Sequence, residues 1–80
     1  MTHEHGIEPR IRGYEKELDF LARVAPEQPE TVIIMCANTR KELERDKTLR
    51  GRKEETTRLQ TALYDIEEGA QRQLGKYHHI

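Results

Sequence analysis

Apolar residues recur in the first third of the chain at the spacing of one helix face. Steps of three and four residues separate the members of this stripe, which are Ile7, Ile11, Tyr14, Leu18, Leu21 and Ala25. Such steps place side chains on one side of an α-helix. Pro9 is tolerated in a first helical turn, whereas Pro26 cannot continue a helix. We therefore predict a first helix over residues 9–25.

The second apolar segment fits two structures. It begins with Pro29 and Glu30, which favour a helix start, and continues as an unbroken apolar run over residues 32–37. We favour a helix here. The alternative is a strand over residues 31–37 that pairs between two copies of the chain and is followed by a long helix. The spacing from Thr39 to Glu42 matches a capping box, which keeps this alternative open.

The last half of the chain reads as helix with one break. Good helix formers extend over residues 39–74, and Gly51 is the expected interruption. Gly75 can close the final helix, which leaves residues 76–80 as a tail. We predict a single small helical domain over residues 1–80, with flexible termini at residues 1–6 and 76–80.

The apolar stripes can be aligned as a helical bundle. If consecutive helices run antiparallel, three layers form: Leu21 with Ile33 and Ala70, Leu18 with Cys36 and Ile66, and Ile11 with Leu43 and Leu59. The predicted fold class is therefore all-α, a small three-helix up-down-up bundle with a long projecting helical hairpin. The layer that contains Tyr14 is defective in this alignment, because the middle helix would contribute Arg40 there.

Composition indicates that this bundle is marginal on its own. The residue types Leu, Ile, Val and Phe supply sixteen of the 80 residues, whereas charged residues are 36%. Chains of this size with one core rarely reach more than about 3–5 kcal/mol of stability without further support. The single Cys excludes an internal disulfide. We therefore expect a homodimer, or a chain that is ordered by a partner.

Several function classes are disfavoured by the sequence. No Ser occurs, the five Gly residues form no phosphate-binding loop, and the longest apolar run is too short to cross a bilayer. Cys36, without a nearby base, is expected to be a buried thiol, and a lone Cys fits a reducing cytoplasm. The acidic residues lie on heavily charged helical segments, where we expect them to be exposed. The His pairs His3/His5 and His78/His79 are expected to belong to flexible termini. We expect no enzyme, catalytic residue, metal, cofactor, small-molecule substrate or membrane association.

The favoured hypothesis is a non-enzymatic protein-protein interaction module that binds another protein or a second copy of itself. Its predicted contact surface is the apolar face of the last helix, with two tyrosines at its margin: Leu59, Leu63, Tyr64, Ile66, Ala70, Leu74 and Tyr77. An alternative within this class is a small inhibitor of a larger host complex, of the kind encoded by phages and mobile elements. That alternative rests on size and on the absence of catalytic motifs.

The remaining alternative comes from the charge distribution. Residues 39–58 contain five acids and eight bases, although the whole chain has a net charge of −1. The projecting end of the hairpin forms a charged tip, which consists of Arg45, Lys47, Arg50, Arg52, Lys53 and Arg58. Such a tip could contact nucleic-acid phosphates without sequence selection. Asp46, Glu54 and Glu55 oppose this hypothesis, so a solvated hairpin is the favoured interpretation and nucleic acid the less favoured partner.

Overall fold

The protein is all-α over the residues that its structure describes. A computed structural model gives the backbone of residues 8–78 and the side chains of residues 8–75. It contains three helices and a one-turn 3-10 helix: α1 (Glu8–Val24), α2 (Pro29–Arg45), the 3-10 turn (Lys47–Leu49) and α3 (Lys53–His78). No strand is present in this part of the chain, and none of its helices has the length and apolarity that a bilayer span requires.

The strand alternative for residues 31–37 is wrong, because this segment lies inside α2. Pro29 occupies the first turn of α2, where its missing N–H has no partner to lose. Glu30 in the first turn and Arg45 in the last turn complement the helix dipole. Thr39, the cap in the strand alternative, is instead a buried residue in the middle of α2.

The break between the second and third helices comes earlier than predicted. The backbone of Asp46 is extended (φ −77°, ψ 104°), and its side chain accepts a hydrogen bond from the Thr48 N–H. Asp side chains compete with helical hydrogen bonding in this way and initiate turns. Gly51 then adopts φ +89°, a left-handed conformation that glycine allows. Leu49, between these two residues, is buried in the core.

The end of α3 also differs from the prediction. The helix continues through Gly75 to His78, so residues 76–78 are helical and do not form a tail. A left-handed cap at Gly75 is missing, since Gly51 is the one glycine with positive φ in the described backbone. Residues 1–6 and 79–80, also predicted to be flexible, lie outside the described residues.

One apolar core joins the three helices. Its buried members are Ile11, Tyr14, Leu21, Val32, Cys36, Leu43, Leu49, Leu59, Leu63 and Ala70. The predicted layer of Ile11, Leu43 and Leu59 is buried throughout. In the layer of Leu21 and Ala70, Val32 is fully buried and Ile33 only partly. Helix α3 contacts α2 more extensively than α1.

Truncation of a buried side chain should lower the free energy of unfolding more than truncation of an exposed one. Leu63 is about 1% exposed and belongs to the core, whereas Ile34 is 62% exposed. We expect Leu63→Ala to reduce the free energy of unfolding by about 2–5 kcal/mol. At a chain concentration low enough to keep the protein monomeric, Ile34→Ala should change the free energy of unfolding by less than about 0.5 kcal/mol. Urea denaturation monitored by circular dichroism measures both, and equal effects of the two substitutions would contradict this core assignment.

Candidate functional site

The most highly connected polar group in the described residues is the carboxylate of Asp46, between α2 and the 3-10 turn. Its side chain is 1% exposed. One oxygen, Oδ2, accepts hydrogen bonds from Arg10 Nε at 2.7 Å and from Tyr14 Oη at 2.8 Å. The other, Oδ1, accepts from the Thr48 backbone N–H at 3.0 Å and from the Thr48 hydroxyl. The first turns of α1 are thereby attached to the end of α2.

This network shifts the pKa values of its members. Burial by itself would raise the pKa of Asp46, but the hydrogen bonds from Thr48, Arg10 and Tyr14 outweigh it and lower the pKa to about 2. Burial, together with the adjacent carboxylate, raises the pKa of Tyr14 to about 12. The hydrogen bond to Asp46 raises the pKa of Arg10. Asp46 is therefore ionised at neutral pH, and Tyr14 is a neutral donor.

A shallow groove lies beside this network, between α1 and α2. Its volume is about 260 Å³, and it is lined by Pro9, Arg10, Gly13, Tyr14, Glu17, Thr39 and Glu42. Small-molecule sites usually have volumes of about 300–1,000 Å³ and an apolar lining. Arg10 and Tyr14 already hydrogen-bond to Asp46, so their polar atoms are engaged within the protein. We regard the groove as part of the α1–α2 contact.

The predicted apolar contact surface on the last helix is mostly core. Leu59, Leu63 and Ala70 are buried, and Ile66 is half-buried against the same core. Leu74 is also half-buried, and the side chain of Tyr77 lies outside the described residues. Tyr64 alone among the described members is exposed, at 56%. The stripe is therefore used to pack α3 against α1 and α2, and it is not a free face.

Arg40, the predicted defect of the bundle, faces α3 and does not meet Tyr14. Its guanidinium carbon lies 4.4 Å from the centroid of the Tyr64 ring, and its Nη2 lies 2.9 Å from Glu67 Oε1. The contact with Glu67 is an ion pair whose geometry is not that of a hydrogen bond. Arg40 Nε and Glu67 Oε1 have no hydrogen-bond partner among the described residues. The aromatic ring and the carboxylate accommodate the charge at the margin of the core.

Cys36 is buried, as predicted, and lies near this pair. Burial, with a smaller contribution from the charge of Glu67, raises the pKa of the Cys36 thiol to about 11. A thiol with this pKa is protonated at neutral pH and is a poor nucleophile. Cys36 therefore acts as a small apolar core residue.

Three large apolar side chains are exposed in the described part of the chain, and each comes from a different helix. Phe20 of α1 is 48% exposed, Ile34 of α2 is 62% exposed and Tyr64 of α3 is 56% exposed. We call these three residues the α2 surface, after the helix that carries Ile34, the most exposed of them. Tyr64 is among the contact residues predicted from the sequence, whereas Phe20 and Ile34 are not. Ile34 is hidden in the uniformly apolar run 32–37, where periodicity does not separate the outer face from the inner one.

The charged tip divides into paired and unpaired bases. Arg52 pairs with Glu55 at 3.1 Å, and Arg58 pairs with Glu15 of α1 at 3.1 Å. The other four members are exposed and make no ion pair with any residue of the described range; they are Arg45, Lys47, Arg50 and Lys53. The tip is therefore anchored to α1 through Arg58, and its free bases are at the α2–α3 connection.

Metal ligands are not grouped in the described range. No set of three or more His, Cys, Asp or Glu residues within it has an arrangement that could hold an ion. His3, His5 and His79 lie outside the described residues, and His78 is the last residue of α3.

Acid should remove the contribution of Asp46 to stability. The pKa of Asp46 is about 2 in the folded chain and about 3.9 in an unfolded one, so its carboxylate stabilises the fold above pH 4. This stabilisation, at most about 3 kcal/mol, is lost as the pH falls from about 4 to about 2. We expect Asp46→Asn to be less stable than wild type at pH 7 and the difference to shrink by pH 2.

The control is Asp65→Asn, which removes an exposed carboxylate of α3. Urea denaturation of the three proteins from pH 7 to pH 2 provides the measurement. A difference between wild type and Asp46→Asn that does not change with pH would contradict the network.

The described chain thus presents three features that bear on function: the Asp46 network, the α2 surface and the unpaired bases of the charged tip. The network is internal, because Asp46 is nearly inaccessible. The other two features are accessible to a partner. Comparison of the chain with protein-family models, with curated proteins and with solved structures finds no match.

Proposed function

We propose that this chain is a non-enzymatic protein-protein interaction module that acts as a homodimer through the α2 surface. The observation that supports this proposal is the exposure of three large apolar side chains, Phe20, Ile34 and Tyr64, one from each helix. Contiguous exposed apolar surface on a small protein commonly marks an interaction site. The lone buried Cys36 suits a reducing compartment, and we expect the module to act in the cytoplasm.

Contacts to α2 support a shared location of the three side chains. Tyr64 lies under the guanidinium of Arg40, a residue of α2. Phe20 lies three residues after Glu17 on α1, and Glu17 lines the groove between α1 and α2. Residues three apart lie on the same side of a helix. Phe20 and Tyr64 therefore flank α2 on its two sides, and Ile34 lies on α2 between them.

Contacts between helices also support the up-down-up arrangement that this surface requires. Arg10 at the start of α1 contacts Asp46 just past the end of α2, as expected for antiparallel neighbours. Arg58 near the start of α3 contacts Glu15, and Gln73 near its end donates to the Pro26 carbonyl just past α1. The first contact places the start of α3 beside the first half of α1, and the second places the end of α3 beside the end of α1. We therefore propose that α1 and α3 run parallel, with α2 antiparallel to both.

The sequence of α2 makes a second copy the partner that fits best. Its outward stripe follows the order Glu30, Ile34, Ala37 and Lys41, with steps of four, three and four residues. When two such helices pack antiparallel about an axis between Ile34 and Ala37, each Ile34 faces the small Ala37 of the other copy. Each Glu30 then faces a Lys41. The stripe is complementary to itself in both size and charge, which a two-fold symmetric interface requires.

Self-association would also remedy the small core of the monomer. Association that requires the folded chain stabilises that chain by mass action. Stable interfaces bury about 1,200–2,000 Å² in total, so α2 alone is insufficient and the flanking Phe20 and Tyr64 must take part. The surface is thus wide enough only if all three helices contribute.

A charge placed at the centre of the surface should abolish the dimer. We expect Ile34→Glu to be a folded monomer, because two buried carboxylates would face apolar groups across the two-fold axis. The matched control is Ala22→Glu, which adds the same charge at an exposed position of α1 that lines the groove between α1 and α3. Size-exclusion chromatography with light scattering, at about 50 µM chain, measures the mass. A monomeric wild type would contradict the homodimer, as would a dimer that survives Ile34→Glu.

The proposed register can be tested by exchanging charges. Glu30→Lys and Lys41→Glu should each weaken self-association, because like charges would then face each other. An equimolar mixture of the two variants should form a heterodimer about tenfold tighter than either homodimer, since both facing pairs become attractive in it.

The double variant with both exchanges should recover wild-type association. Sedimentation equilibrium gives the three dissociation constants, and circular dichroism verifies that each chain remains helical. If the mixture associates no better than the single variants, the antiparallel register is wrong, even if Ile34→Glu has already shown that the surface forms the dimer.

A further inference from the structure

We infer that the unpaired bases of the charged tip, Arg45, Lys47, Arg50 and Lys53, form a binding site for the phosphate backbone of nucleic acid. This site lies at the α2–α3 connection and is separate from the α2 surface. The inference comes from the way in which the fold uses the acidic residues of the same segment.

The tip segment contains three acidic residues whose charge would repel phosphate, and two of them are paired with other residues of the chain. The side chain of Asp46 is 1% exposed and is bound by Arg10 and Tyr14, which belong to α1. Glu55 pairs with Arg52 at 3.1 Å. The third acid, Glu54, remains exposed. In the sequence, this segment contains acidic and basic residues side by side. The folded chain exposes mainly the basic ones.

The exposed charge at the connection is consequently positive. Glu44 and Glu54 are the exposed acids next to the four unpaired bases, so the local balance is 4 − 2 = +2, although the whole chain has a net charge of −1. The base Arg58 and its partner Glu15 cancel each other. A local excess of this kind can attract a polyanion even when the protein as a whole is slightly acidic.

The chemistry of the tip favours phosphate over an acidic protein. Leu49, the one apolar residue of the 3-10 turn, is buried, so no apolar side chain accompanies the exposed bases. Protein interfaces have apolar or aromatic centres and are depleted in lysine. A phosphate backbone needs only cations and polar donors, and Lys47 and Arg50 offer these at exposed positions on either side of the buried Leu49.

The site should bind without reading sequence. Within the tip no aromatic side chain is available to stack on bases, and Tyr64, the nearest aromatic residue after it in the chain, is engaged with Arg40. Affinity should therefore depend on counterion release and fall steeply with salt. With four phosphate contacts, the slope of log K against log salt for duplex DNA should be no steeper than about −3.6.

Fluorescence anisotropy with a labelled DNA duplex of about 20 base pairs, between about 20 and 200 mM salt, tests the site. The full chain should bind at the low end of this range. The double variant Lys47→Ala with Arg50→Ala should bind at least tenfold more weakly at about 20 mM salt, with a slope shallower by about 1.8. Circular dichroism verifies that it remains folded.

The matched control is Lys16→Ala with Arg23→Ala, which removes one lysine and one arginine of α1 that are exposed and make no ion pair with a described residue. It should bind like wild type. No binding of the wild type at the lowest salt would overturn the inference, and so would an equal loss in the control, which would indicate diffuse attraction. Equal competition by a polyglutamate peptide at matched charge would overturn it in favour of an acidic protein partner.

Discussion

The buried carboxylate of Asp46 is the interaction on which the rest of the structure depends. A charge that is almost fully removed from water must be paired, and here the pairing groups come from a different helix. Arg10 and Tyr14 attach the start of α1 to the end of α2, while Thr48 is hydrogen-bonded in the turn that follows. One side chain therefore ends a helix, shapes the connection to α3 and docks α1.

The Asp46 network bears on both proposed binding surfaces, the charged tip and the α2 surface. Because Asp46 is directed inward, the connection to α3 exposes bases without their nearest acid. Because Asp46 attaches α1 to the end of α2, it supports the position that we propose for Phe20, beside the helix that exposes Ile34. The two surfaces use different physics: association through the α2 surface depends on burial of apolar area, and contact at the charged tip depends on screened electrostatics. Salt should therefore affect them differently.

Local rules predicted the parts of the fold that local forces determine. The α1 stripe and its flanking prolines located the first helix within a residue at each end, and the burial of Cys36 followed from its apolar neighbours. Contacts between distant residues were not predictable in this way. Asp46 is 32 residues from Tyr14 in sequence, and no local pattern relates the two residues. Periodicity identifies an apolar side of α3 but does not say what covers it, and in the folded chain Leu59, Leu63 and Ala70 of the predicted contact surface are buried in the core.

The central claim is that Asp46 is a buried, multiply hydrogen-bonded carboxylate, and its ionisation reports on this directly. Carbon-detected NMR of the Asp46 carboxyl group, followed from neutral pH into acid while the chain remains folded, gives its pKa. The structure predicts a pKa of about 2, with Arg10, Tyr14 and Thr48 as the cause. A pKa of about 3.9, the ordinary value of an Asp carboxyl group, would show that the carboxylate is solvated, and would contradict the attachment of α1 to the α2–α3 connection.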